Sequence, residues 1–144
     1  MVRDDLVTDP YRLGLDILAQ TGASQDRNRN RAAEVAPDFV KLAVGFTYGE
    51  ILSRPGLDLK LRIFSALSAC AALGSSPAQL RTHVAAALHL GWSKGEIIEV
   101  LIQSAAHAGV PAALQALSDS HDLLVDRDAQ CASCEDESTS DGQL

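Results

Sequence analysis

Helix starts and stops recur along this chain so regularly that they leave little room for any other structure. Asp9-Pro10 pairs an N-cap residue with proline at the first helical position, and Gly22 closes the segment near residues 10–21. Pro37 opens the next helix, whose apolar positions Phe39, Leu42, Ala43, Phe46 and Gly49 follow a period of 3.6, and Pro55 stops it. Asp58 caps a helix that runs to Gly74. Ser76-Pro77-Ala78-Gln79 has capping-box order with proline at N1, and Gly91 ends that helix. Ser93-Lys94-Gly95-Glu96 repeats the box ahead of a helix to about His107, with a stop at Gly109. Pro111 starts the last helix, which fades near Leu124-Val125. Residues 23–35, polar and rich in Arg and Asn, read as a linker or a weak helix. No segment alternates apolar and polar residues as a half-buried strand does. The expectation is an all-α bundle of about six helices.

A chain of 144 residues suits one domain with a single core. Its hydrophobic share is 47% but its aromatic share only 4%, so the interior is built from Ala, Leu, Val and Ile. Small side chains let helices approach closely, and they leave a modest core that burial against other subunits would extend. The formal charge of −7 is mostly local. Residues 126–144 carry six acids against Arg127, a net −5, which leaves −2 for the rest. A near-neutral body with an acidic tail lacks the basic face that nucleic-acid binding needs. No apolar run reaches the length of a signal peptide or a membrane span, so the chain reads as soluble and cytoplasmic. Cys70 falls in an Ala-rich helix and reads as a small core residue. Cys131 and Cys134 form a lone C-x-x-C in the polar tail, with neither a scaffold nor a second ligand pair.

Residue chemistry narrows the site only in part. Glu50 and Arg54 stand one turn apart beside the Pro55-Gly56 break, a spacing that also fits an i,i+4 ion pair. His83 lies on the helix begun at Ser76, with Arg81 two positions earlier and so on another face. His107 follows Glu96, Glu99 and Gln103 along one polar stripe. No two histidines have tight metal-ligand spacing, there is no Gly-rich phosphate loop, and no G-x-S-x-G turn supports a nucleophile. No metal site is expected from these residues. From residue types alone, His83 is the acid/base candidate, Arg54 and Arg62 are anion binders, and Glu50 is their orienting partner.

Taken together, Tyr48-Gly49-Glu50-Ile51, Arg54-Pro55-Gly56-Leu57-Asp58, Arg62, Leu80-Arg81-Thr82-His83-Val84, Glu96-Ile97 and Ala108-Gly109-Val110-Pro111 resemble the carboxymuconolactone decarboxylase family. The likeness covers about residues 36–117. It divides the chain into an N-terminal helix and polar linker (1–35), a family-like domain (36–126) and an acidic disordered tail (127–144). It implies an alkylhydroperoxidase-D-like helical fold, assembled as a homotrimer or hexamer with pockets near subunit contacts. The implied reaction is cofactor-free decarboxylation of 4-carboxymuconolactone or a related small carboxylated lactone in aromatic-acid catabolism. His83 and Glu50 are then the catalytic candidates, and Arg62, Arg54, Tyr48, His107 and Arg81 the substrate-binding ones.

Peroxidase relatives carry C-x-x-C-x-x-x-H on the matching helix. Here that pattern falls on Ser76, Gln79 and His83, so disulfide-based peroxide reduction has no thiols to work with. His107 stands where the family commonly has Tyr. His89-Leu90 and Leu59-Lys60-Leu61 depart as well. The departures at residues 89–90 and 107 keep open an isomerase, dehydratase or cyclase recruited on the same fold; a rival of another class is a non-catalytic oligomeric module that holds a partner with its helices and acidic tail.

Overall fold

The protein is described from a computed structural model over residues 9–125; the acidic tail, with Cys131 and Cys134, lies outside the described residues. The order is α1 (Pro10–Gln20), a 3-10 turn (Ala23–Gln25), α2 (Arg27–Val35), α3 (Pro37–Val44), a π-helical stretch (Gly45–Leu52), α4 (Leu59–Leu73) and α5 (Pro77–His89). Then come α6 (Lys94–Gln103), α7 (Ala105–Ala108), α8 (Val110–Asp119) and α9 (His121–Leu124). No strand occurs among the described residues.

Helix ends form where short side chains offer oxygens to orphan amides. Asp9 accepts from the Tyr11 amide at 3.0 Å, and Asp58 from the Leu61 amide at 2.7 Å. At Ser93 both halves of the capping box are made: its hydroxyl accepts from the Glu96 amide at 3.2 Å, while Glu96 accepts from the Ser93 amide at 2.8 Å. Each such cap contributes about 1 kcal/mol. Residues 23–35 resolve in favour of a weak helix. Asp26 caps α2, which buries none of its residues.

Two expected helices break, and one changes pitch. Residues 93–107 divide at Ser104, whose buried hydroxyl donates to the Leu101 carbonyl at 2.6 Å. His107 therefore belongs to the separate α7, and the stripe from Glu96 to His107 is interrupted. The last helix begins at Val110 and breaks at Ser120. The helix from Pro37 keeps α geometry only to Val44 and then widens to π.

That wide turn is where α1 crosses. A Cβ built on Gly49 would sit 2.8 Å from the Pro10 carbonyl carbon and nearer still to its oxygen, and one on Gly14 would sit 2.6 Å from the Val44 carbonyl oxygen. Bare backbone on both sides lets the two helices touch. Ile17, Leu18 and Val44 are buried at this crossing. The main core is a separate cluster, from Ile63, Leu67, Cys70 and Ala71 of α4 through Leu80, Val84 and Ala87 of α5 to Ile97 and Leu101 of α6. Each fully buried Leu or Ile contributes about 1.5–3 kcal/mol. Cys70 is a core residue, 8% exposed.

The large apolar residues of the α3 pattern face outward. Phe39 is 64% exposed, Leu42 68% and Phe46 59%, and Val35 at the end of α2 is exposed as well. What α3 and the π stretch bury is small: Val44, Gly45 and Gly49.

Candidate functional site

Between α2, α3 with its π extension, and the start of α5 lies a cleft of about 380 Å³. Asp26, Asn28 and Arg29 form one wall, Val40, Ala43, Val44, Thr47 and Tyr48 the second, and Ser76, Gln79, Thr82 and His83 the third. The helix starts explain the third wall. Ser76 and Pro77 begin α5, so Gln79, Thr82 and His83 lie on its first two turns and share a side. Tyr48 comes from the π stretch and is half buried.

Asp26 ties the walls together. One carboxylate oxygen accepts from the Arg29 amide at 2.9 Å as the cap of α2, and the other accepts from the Thr82 hydroxyl at 2.8 Å. The Thr82 hydroxyl also lies 3.0 Å from the Ala78 carbonyl. It has one proton to give, and the carboxylate is the stronger acceptor. Burial pushes the Asp26 pKa up, but the Arg29 amide, the Thr82 hydroxyl and the Arg29 charge outweigh it and hold the group below its ordinary value. Asp26 is thus a firm anion in the cleft wall.

His83 is pushed the other way. Burial lowers its pKa, because a charged ring loses water, and the Asp26 carboxylate partly restores it. Burial raises the Tyr48 pKa; the Arg29 charge opposes that, while Asp26 and Cys70 add to it. At neutral pH the cleft therefore offers a mostly neutral imidazole, a neutral phenol and a guanidinium, with a carboxylate behind them. Such a set can hold an anion, donate to a growing negative oxygen and move a proton. Among the described residues no group of three or more His, Cys, Asp or Glu side chains is placed to bind a metal ion.

Of the residues singled out from sequence, the cleft brings together Tyr48 and His83. Glu50, two positions past Tyr48 and so on the opposite side, lines a shallow hollow with Tyr11, Lys41, Leu42 and Phe46. No Glu50–Arg54 ion pair forms; among the described residues the ion pair is Arg81–Asp122. Arg62 donates through Nε to the Leu57 carbonyl at 3.0 Å and through Nη2 to the Arg54 carbonyl at 2.8 Å, bracing the turn that Pro55 and Gly56 make. Arg54 is exposed there.

Arg81 turns away from His83 and clamps the α8–α9 break. It grips Asp122 with both terminal nitrogens and the Asp119 carbonyl at 2.9 Å. The Arg81 hydrogen bonds pull the Asp122 pKa down to about 2. His107 is exposed on α7. Two departures from the family pattern are tied together in packing. Lys60 donates to the Gly91 carbonyl at 3.2 Å, just past His89-Leu90, and lies 4.4 Å from the centre of the Trp92 ring.

Sequence reading missed Asp26, Arg29 and Thr82. The available signal was an acid placed to cap a helix, Asp26, followed by three arginines at alternate positions, Arg27, Arg29 and Arg31.

The protein is thus of the all-α class, with histidine, tyrosine and arginine gathered on one partly desolvated cleft. Comparison with known proteins gives the family. The model of the carboxymuconolactone decarboxylase family matches residues 37–118, more than half of the chain, and the chain belongs to that family. One relative is the 4-carboxymuconolactone decarboxylase of Acinetobacter baylyi, 28% identical over 118 residues that span 81% of this chain and 87% of the relative. An uncharacterised 15.0 kDa protein of Paracoccus denitrificans is 27% identical over 134 residues, covering 86% of this chain and all of its own length.

Proposed function

We propose that the protein is a cofactor-independent decarboxylase acting on 4-carboxymuconolactone or a related small carboxylated lactone, with the cleft of Tyr48 and His83 as its site. The observation that carries this reading is the pairing of those two half-buried groups on one cleft, within the residues that define the family. In the reaction the bond to the departing carboxylate breaks and releases CO₂. Its electron pair enters the conjugated lactone and gathers on the carbonyl oxygen, and a ring carbon then takes a proton. The Tyr48 hydroxyl donates to that oxygen as its charge grows, and His83 delivers the proton and is recharged from solvent. Proton transfer of this kind contributes on the order of 10²–10⁴ in rate.

The subunits assemble as a homotrimer or hexamer through the exposed apolar row of Val35, Phe39, Leu42 and Phe46, a surface of the kind that marks contacts. Glu50 lies beside that row, so any part it or Arg54 takes in turnover comes through a neighbouring subunit. No described helix is long and apolar enough to cross a membrane.

Incubation with 4-carboxymuconolactone while CO₂ release is followed tests the reading. His83→Ala should lower kcat by about 10²–10⁴ with the assembly intact. No CO₂ from the wild-type protein rules out this substrate, and full activity in the variant removes His83 from the mechanism.

A further inference from the structure

We propose that Arg29 holds a carboxylate that the substrate keeps, so that the polar segment ahead of residue 37 selects which small acids the cleft accepts. The inference rests on the reading of the cleft given above and names what anchors its ligand. A fixed cation on the departing carboxylate would stabilise the ground state, since that charge leaves during reaction. Held on a carboxylate that stays, the same cation contributes binding without opposing loss of CO₂.

Among the described residues that line the cleft, Arg29 is the only arginine or lysine. Its Nη2 donates to the Ser24 carbonyl at 2.6 Å, which uses one of five N–H groups and tethers one end of the guanidinium. The rest of the fork matches the two oxygens of a carboxylate. Asp26 feels the Arg29 charge but does not grip it: its oxygens accept from the Arg29 amide and the Thr82 hydroxyl, and among the described residues it forms no ion pair with the Arg29 side chain. Instead Asp26 latches the α2 segment onto α5 across 56 positions of sequence. Arg29 and Tyr48 line the same cleft from different walls, and the Arg29 charge is felt at Tyr48. Arg62 and Arg81 are already gripped by carbonyls and a carboxylate elsewhere. Arg29 precedes the residues matched by the family model, so the group that holds the anion is set outside the shared core.

The test is a titration followed by the NMR signal of the His83 ring, with a saturated γ-lactone acetic acid and its methyl ester as probes. The wild-type protein should bind the acid at least about tenfold more tightly than the ester. Arg29→Gln should lose on the order of ten- to a hundredfold in affinity for the acid and bind the ester as before. Arg29→Lys should retain part of the preference. Unchanged affinity of Arg29→Gln for the acid, with His83 still responding, overturns the inference and leaves the cleft reading standing. Equal loss of acid and ester overturns it too. A wild-type protein in which neither probe moves His83 overturns both.

Discussion

His83 is a ring under two opposed pressures, and the balance sets where it works. Burial takes its pKa below the ordinary 6.5, and the Asp26 carboxylate holds the fall in check. As proton donor, His83 is competent only while charged. The value of kcat/KM should therefore fall as pH rises through a pKa below 6.5. Stability runs the opposite way. The unfolded chain takes up this proton at higher pH than the folded one, so acidification below about 6.5 costs folding free energy while it charges the donor. Asp26→Asn separates charge from structure, because asparagine still caps α2 for the Arg29 amide. In that variant the limb should move to still lower pH with helix content unchanged. The pH profiles of the two proteins check this. An unmoved limb would mean that Asp26 does not act on His83, and a limb on the acid side would make His83 a base.

At the scale of elements, the crossing of α1 over the π stretch is the least forgiving contact. A methyl group on Gly49 runs into the Pro10 carbonyl, which is backbone and cannot swing aside. Gly49→Ala should cost about 1–3 kcal/mol or more, by thermal or urea unfolding, because α1 must lift. Gly95, early in α6, has open space around it, with nothing within 4 Å of where a Cβ would sit, and the same substitution there should gain about 0.5–1 kcal/mol. Equal effects at the two sites would show that α1 does not pack as described. These elements also show what sequence could tell. The caps at Asp9, Asp58, Ser76 and Ser93 were legible because a helix end is settled by residues two or three apart. The breaks at Ser104 and Ser120 were not, since both interrupt apolar patterns that continue across them. The Asp26 wall was hidden for another reason. Helix α2 buries nothing, so it carries no hydrophobic period, and its link to the site is one polar contact to a distant residue. Tyr48 and His83 were legible as residues of a familiar pattern, but their meeting depends on how three helices pack.

For the whole molecule, the unspent apolar surface is the fact to explain. Val35 is 87% exposed at the end of α2, and Phe39, Leu42 and Phe46 stand out at helical spacing along α3 and its π extension. A second set, Leu73, Ile102, Val110 and Leu114, stands out from α4, α6 and α8. Two different sets of exposed apolar residues on one chain suit a head-to-tail contact, which closes into a ring when the rotation between copies allows it. The wild-type protein should therefore sediment as a trimer or hexamer of its 15.2 kDa chain. Phe39→Asp with Phe46→Asp should dissociate it, since each puts a charge where an apolar contact would form and the acid at 46 also enters the hollow that holds Asp38 and Glu50, and the helical content should survive because neither side chain enters the core. A wild-type monomer would remove the oligomer from the account. The dissociated variant then answers a second question. The cleft of Tyr48 and His83 is built within one chain, so that variant should still bind the lactone acid. If binding vanishes on dissociation, a neighbouring subunit completes the site, and Glu50 and Arg54 return to it across the contact.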